Sequence, residues 1–592
     1  MLDAIFAIPG MMLILGALVV PLLPPFVRNY YMLALIAFSG WTVWQIAPGV
    51  HMTANLAGID LILVRAEAIT KPFVLVFHIA AALNVIYAMH EDVKITATAG
   101  LAYAGAAIAA LFAGDFLTLF IYWELTAFTS VFLVLAGNTA RSMGAAMRYL
   151  LMQVASGVIL LAGAMLLWRE GTGFAITALD ATTPAGFCIL LAFGIKAAFP
   201  FLNGWLQDAY PEASVTGTVV LSAFTTKLSI YMLALCFAGL TPLIWVGVVM
   251  TLFPVFFAVI ENDLRRVLAF SLNNQLGFMV VGIGVGTELA LNGTVAHAFA
   301  HIIYKSLLFM SMGAVLFRTG TAKASELGGL WKQMPLTAIF CIIGAVSISS
   351  FPLFSGFVTK SLTIGATAKE GYFLVWMALI FASAGVLEHS GIKIPYFAFF
   401  GHDRKFKVKE APLNMLVAMG IAAALCVIIG IFPQPLYALL PYEVKYDVWE
   451  TGHVLGELQL LLFAVLAFVF LIVRGLYPPE IDSTVLNTDW LLRRAIPRVV
   501  KGLAMPVLTL WFGAVAWAQK TILAIFRISE ETSRESGLVS GIASTGAAAG
   551  IFLAVFALML LARLVMWPIK KAHPQARLSL SHLPRLKTEH GL

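Results

Sequence analysis

"SSFPLFSGF", residues 349–357, interrupts an apolar run that extends from about 333 to 369. Pro352 removes a backbone donor and Gly356 is a poor helix former, so a helix should break here. Two architectures fit. The run is either two membrane spans joined at a turn, or one span built from two half-helices. Charge decides between them. If the run crosses twice, the basic loop "HDRKFKVK" (402–409) falls opposite Arg28, Arg141, Arg148, Arg265 and Arg266. If it crosses once, all these charges share a side, as the positive-inside rule favours. One broken crossing is therefore expected, with the N-terminus external and 402–409 cytoplasmic. A helix break inside a bilayer is tolerated only against protein or a wet cavity, so this one points to a functional interior. "IKAAFPFLNGW" (195–205) is a second expected break, at Pro200. Two interrupted helices at corresponding places in two five-helix halves point to an inverted-repeat transporter.

The rest of the chain agrees. Of 592 residues, 61% are hydrophobic and 11% charged, where soluble proteins carry about 25% charged residues. Apolar runs of spanning length recur almost end to end, without the alternation of a β-barrel. Expected helices cover 4–26, 29–47, 66–90, 95–113, 115–137, 141–168, 183–206, 213–238, 241–261, 265–285 and 288–317. After the broken 333–369 element come 372–400, 412–433, 456–473, 502–527 and 542–567. The first run has no basic n-region or clear cleavage site and reads as a retained helix. The segment 502–527 reads as spanning, with a position along the membrane surface as the competing reading. The basic tail "KKAHPQARLSLSHLPRLK" is cytoplasmic only if 502–527 spans.

The net charge of +7 is spread through short loops and the tail, which argues for a membrane protein and against nucleic-acid binding. Cys188, Cys236, Cys341 and Cys426 lie far apart in apolar runs and form no metal-binding pattern. With no phosphate loop and no dinucleotide, haem or iron–sulfur spacing, no cofactor, metal or catalytic constellation is expected.

Ionisable residues inside spans cost from about 2.5 kcal/mol each at the helix centre. This chain carries Glu124, Lys196, Lys227, His297, His301, Lys305 and Lys360 in such positions, with Glu388, His389 and Lys393 as possible accessories. His297, His301 and Lys305 are spaced four apart and so share one helix face. Each has a bland reading: a lysine can snorkel to the headgroups, a histidine can be a satisfied core residue, and Glu124 can lock helix packing through one lysine. As a set flanking two helix breaks, they read as a polar path able to take and release protons.

These residues carry a resemblance. "YWELTAF" (122–128), "GIKAAFPFLNGWLQDAYPEAS" (194–214), "ENDLRRVLAFSLNNQLGFM" (261–279), "HAFAHIIYKSLLFMSMGAVL" (297–316) and "FPLFSGFVTKSL" (351–362) resemble, in order, motifs of the antiporter-like subunits shared by respiratory complex I and Mrp-type multisubunit cation/proton antiporters. The match covers about residues 60–430, and the C-terminal stretch resembles D-like Mrp subunits. Asn203, Tyr210 and the Asn273–Asn274 pair depart from residues common in the family, and Glu388, His389 and Lys393 add charge to a helix that is often plainer.

The resemblance implies an all-α integral membrane fold. It has 14 core transmembrane helices in two inverted five-helix repeats with broken helices, plus 2–3 C-terminal helices. The expected divisions are N-terminal helices in 1–90, a first repeat in 95–240, a second in 241–401, a last core helix at 412–433 and an extension over 434–592. It implies a proton-translocating subunit of a multisubunit Na+/H+ antiporter in the bacterial inner (plasma) membrane. Its partners would be other subunits of that complex, protons, monovalent cations and the lipid bilayer, not nucleic acid. Glu124 and Lys196 would form a gating pair, Lys227, His301 and Lys305 a central relay beside His297, and Lys360 the exit group. Three other readings stay open: a proton channel of a redox-driven or inorganic-carbon-uptake complex, a non-conducting scaffold, and an enzyme.

Overall fold

The computed structural model describes residues 7–56, 58–482 and 494–532, with positions 485, 490, 553 and 556. The chain divides into two compact units, Met1–Asp489 and Trp490–Leu592. Among the described residues, twelve helices are long and apolar enough to cross a membrane.

The first unit opens with α1 (Met11–Ala17), a 3-10 turn at Val20–Leu22 and α2 (Pro25–Trp44). An antiparallel hairpin follows, β1 (Gly49–Leu56) and β2 (Ile59–Ala66). Next come α3 (Thr70–Ala88), α4 (Lys94–Leu111), α5 (Phe116–Leu135) and α6 (Ala140–Arg169). The first broken helix is α7 (Pro184–Lys196) with α8 (Gly204–Glu212). Then α9 (Val215–Ala223) and α10 (Thr225–Cys236) meet at an interruption, Phe224. The centre holds α11 (Pro242–Ile260), α12 (Leu264–Val285) and the 32-residue α13 (Glu288–Thr319). The second broken helix is α14 (Pro335–Ile348) with α15 (Ser355–Lys369). After α16 (Phe373–Val386) the chain winds through π-helical turns at Leu387–Ile392 and Tyr396–Phe400. The unit ends with α17 (Leu413–Ile431) and α18 (Thr451–Val473). The second unit contains α19 (Ile496–Thr532).

Several expectations need correction. The first run is not one long helix but α1 and a 3-10 turn, because Pro21 and Pro24 end the helical ladder. The 213–238 helix is interrupted at Phe224. The hairpin at 49–66 was not anticipated. The 456–473 helix begins earlier, at Thr451, and the 502–527 segment is the middle of the 37-residue α19. The 542–567 helix and the basic tail lie outside the described residues, apart from two isolated positions.

Hydrogen bonds between loops resolve the 333–369 question. Arg404 donates to the Ser325 carbonyl at 2.6 Å, and the Ser325 amide donates to Asn262 Oδ1 at 2.9 Å. Beside Asn262, Arg265 donates to the Ala213 carbonyl at 2.9 Å. Nearby in sequence, Thr216 donates to Glu91 at 2.9 Å, and Arg28 donates to the Glu91 carbonyl at 3.3 Å. The 402–409 loop therefore shares one end of the bundle with Arg28, Arg265 and Arg266, as a single broken crossing requires. The opposite end carries the hairpin. There Asp115 caps α5 by accepting from Thr118 N at 2.7 Å, and its other oxygen accepts from Ile62 N at 2.7 Å. The 13–15 residues of α7, α14 and α15 rise about 20–23 Å, short of a hydrocarbon core about 30 Å thick. Counting each broken or interrupted pair as one crossing gives fourteen up to Ile431 among the described residues.

Buried carboxylates brace the basic end. Burial pushes the Glu261 carboxyl up, and Arg266 opposes the shift. Burial likewise raises Glu91, against the Thr216 hydrogen bond. Lys323 meets Asp482 at 2.9 Å and Glu326 at 3.3 Å, and these carboxylates hold its ammonium above the ordinary lysine value.

The helices pack closely where they break. A Cβ on Gly356 would sit 1.8 Å from the Ser347 carbonyl oxygen, and one on Gly430 would sit 2.2 Å from that of Leu353. The glycine in the opening stretch thus serves close approach as well as interruption.

Two outcomes follow. A cysteine at exposed Lys405 (Lys405→Cys) is shielded from a membrane-impermeant thiol reagent outside intact cells; ready labelling there contradicts the single crossing. Gly356→Ala loses about 1–3 kcal/mol through overpacking, read as a lower melting temperature of the purified protein.

Candidate functional site

The first break runs through residues 197–203, where Ala198 and Phe201 take positive φ of 60° and 67°. Such backbone costs about 1–3 kcal/mol per residue and persists where its surroundings over-determine it. Here they do. Trp205 Nε1 donates to the Ile195 carbonyl at 2.9 Å, and Asn273 Nδ2 donates to that of Ala198 at 2.7 Å. Asn273 is one of the departures from the family pattern, and its amide closes the break. Tyr210, another, donates its hydroxyl to the Leu221 carbonyl at 2.7 Å.

Lys196 is the last residue of α7 and fully buried. Its ammonium donates to the Trp123 carbonyl at 2.7 Å and Thr126 Oγ1 at 2.9 Å, and lies 4.2 Å from the Trp123 ring centre. Glu124 is the next residue along α5, yet it makes no direct ion pair with Lys196. Its Oε1 is buried, without a protein hydrogen-bond partner, against Gly157, where a Cβ would come within 1.5 Å of it. The expected pair is thus adjacent but unjoined in this conformation.

Lys227 donates to the Ser222 carbonyl at 2.6 Å, across the Phe224 interruption. On α13, the His297 and His301 ring centres are 6.0 Å apart. His297 approaches Thr359 Oγ1 and the Tyr304 hydroxyl, each at 3.4 Å. Both ring nitrogens of His301 and the ammonium of Lys305 are buried without a protein hydrogen-bond partner. Leaving such groups unsatisfied costs about 1–3 kcal/mol each. Three of them on one helix face form a place for water or for a shared proton.

At the second break Lys360 donates to the Ile348 carbonyl, the C-terminal end of α14, at 2.6 Å. Its ammonium is 5.2 Å from the centre of the Phe278 ring, whose centre is 6.1 Å from that of the His297 ring. The accessory residues separate. His389 meets Ser390 at 2.8 Å and keeps an unpartnered Nε2. Glu388 is half-buried on the same π-helical turn. Lys393 is locked: it donates to the Val259 and Glu261 carbonyls, both at 2.6 Å, and pairs with Glu480 at 3.0 Å. Sequence reasoning missed Glu480, which lies outside any span. It also missed His453 and Glu457 on α18, where the four-residue spacing was a usable signal. Among the described residues no group of three histidine, cysteine or acidic side chains is placed to hold a metal ion.

The arrangement is a succession of buried amines and imidazoles with one half-buried carboxylate, placed beside helix breaks and on the continuous α13 between them, suited to passing protons. Comparison with known proteins gives the same frame. Residues 113–385 match the transmembrane domain described as NADH:quinone oxidoreductase/Mrp antiporter. The chain is 30% identical to hydrogenase-4 component B of Escherichia coli over 353 residues, 52% of each chain. It is 28% identical to the D-type Na(+)/H(+) antiporter subunit of Alkalihalophilus pseudofirmus over 361 residues, 55% of this chain and 71% of that one. The chain spans about half the length of the first curated relatives it matches. The Mrp complex from Dietzia sp. DQ12-45-1b superposes with a TM-score of 0.72 at 23% identity, covering 87% of this chain and 62% of that one. An archaeal membrane-bound sulfane sulfur reductase superposes at 0.68 and 20% identity, covering 94% and 99%. Fold, motifs and sequence agree: residues 113–385 of this multi-pass chain are a transmembrane domain of the NADH:quinone oxidoreductase/Mrp antiporter type, and the chain shares the fold of the Mrp complex.

Proposed function

We propose that this chain is a D-like, proton-translocating subunit of a multisubunit monovalent cation (Na+)/H+ antiporter in the bacterial inner membrane, and acts as a transporter subunit, not an enzyme. The observation that carries the reading is the row of buried titratable groups, with Lys196, Lys227 and Lys360 set at helix breaks and His301 and Lys305 left unpartnered on the unbroken α13. A scaffold would gain nothing from three unsatisfied polar groups on α13. The relatives named as antiporter subunits support the coupled ion and the partner subunits. Residues 95–240 and 241–401 are the two repeats, each with a helix broken beside a conducting lysine, Lys196 in the first and Lys360 in the second.

In this reading Glu124 and Lys196 gate the path. A change of side-chain conformation at Glu124 brings its carboxylate to Lys196 and holds the proton there; its return towards Gly157 releases it. The proton passes by Lys227, His301 and Lys305, with His297 beside them, to Lys360. A second reading, coupling to a redox-driven machine, is favoured by the match to hydrogenase-4 component B. Identifying the proteins that co-purify with the chain distinguishes the two.

Lys196→Arg separates carrier from structural ion. Guanidinium keeps the charge but does not release protons in proteins. The assembled Lys196→Arg complex therefore loses nearly all ΔpH-driven exchange in inverted vesicles, and wild-type exchange would reduce Lys196 to packing. Lys360→Ala abolishes exchange while the complex still assembles; a lysine that only snorkels would leave the rate unchanged.

A further inference from the structure

The lateral wall beside Lys360 is formed by α18, a helix beyond the fourteen core crossings. Its face towards the core runs through His453, Glu457, Leu461 and Phe468. Two polar residues thus occupy the start of an otherwise apolar docking stripe. His453 Nε2 lies 2.7 Å from Ser361 Oγ, next to Lys360, and its ring stacks on Phe357 with centres 5.1 Å apart. Glu457 Oε1 is buried and has no protein hydrogen-bond partner.

Glu457 and Lys360 face one cavity of about 470 Å³, also lined by Ser350, His453, Gly456 and Trp376. They make no direct ion pair, and the Ser350 hydroxyl in the same wall is likewise buried and unpartnered. The cavity has room for on the order of ten waters at about 30 Å³ each. It lies towards the hairpin end of the bundle, since Trp376 is near the start of α16 and Gly452 and His453 are in the first turn of α18. The accessory lysine, Lys393, is instead tied to Val259 and Glu261 at the basic end.

We propose that Glu457, supported by His453, is a proton-exchange site that connects Lys360 to the hairpin face through this cavity. The inference rests on the reading of Lys360 as a proton carrier. The Lys360 ammonium gives a proton to a cavity water as that water gives one to the Glu457 carboxylate. This leaves a neutral amine and a carboxylic acid, and the acid then releases the proton to water at the external face. His453 holds Ser361 and keeps the α18 wall in place, which makes it a positioning residue.

The test is ΔpH-driven exchange by the assembled complex in membrane vesicles. Glu457→Gln keeps size and hydrogen bonding but cannot carry the proton, and loses at least tenfold in rate. Glu457→Asp keeps the carboxyl and retains part of it. Wild-type exchange by Glu457→Gln beside a dead Lys360→Ala overturns the site and leaves the function reading intact. Normal exchange by Lys360→Ala overturns both. A second measurement does not depend on removing the carboxylate. Gly456→Cys places a thiol in the cavity wall at a position where a Cβ meets no atom within 4 Å. A bulky impermeant thiol reagent added at the external face slows exchange by this variant at least fivefold and leaves the parent protein unaffected. Unchanged exchange after complete labelling overturns the route.

Discussion

The fold depends on lysine ammonium groups held by main-chain carbonyls at points where helices stop. Lys227 takes the Ser222 carbonyl beside the α9–α10 interruption, and Lys360 takes that of Ile348 at the end of α14. Lys393 takes two carbonyls at the end of α11. Each bond answers two needs. The broken helix leaves an acceptor that lipid cannot satisfy, and the C-terminal end of a helix carries partial negative charge that favours a cation. A carboxylate in the same place would bind the ammonium more strongly. The carbonyl supports a charge and still lets it leave, which a proton carrier requires.

That logic separates the lysines. Lys393 has a carboxylate as well, Glu480 at 3.0 Å, and removing one member of such a buried pair typically costs about 3–5 kcal/mol. It serves to clasp the segment after α18 to the core. Lys305 has no protein partner and stands at the opposite extreme. Lys196 and Lys360, each with neutral oxygen partners, lie between. The gradation follows position: the most strongly held lysine is nearest the basic end, and the least held is on the central helix.

Much of this was legible in the sequence because the decisive features are local. Pro200 and Pro352 mark the two breaks, and the spacing of His297, His301 and Lys305 fixes their common face. The distribution of Arg and Lys gave the single broken crossing, which contacts between distant loops then reproduced. The Phe224 interruption was not legible, since neither proline nor glycine marks it and the backbone yields there to tertiary packing. The hairpin was lost because residues 59–66 do not alternate cleanly. The Lys393–Glu480 pair joins residues far apart in sequence and leaves no local trace. Glu457 was missed for a simpler reason: starting its helix at 456 placed it at a frayed end, whereas the helix begins at Thr451 and carries Glu457 within its second turn.

The Phe278 ring neighbours both the Lys360 ammonium, 5.2 Å from its centre, and the His297 imidazole, at 6.1 Å between ring centres. A benzene ring neither donates nor accepts a mobile proton, so it is an apolar surface set among polar neighbours. On the proposed proton path, such a ring thins the polar lining where the central helix meets the second break. On that reading, how well the ring keeps water from this point bears on how tightly the two ion movements are geared and how little energy slips between them.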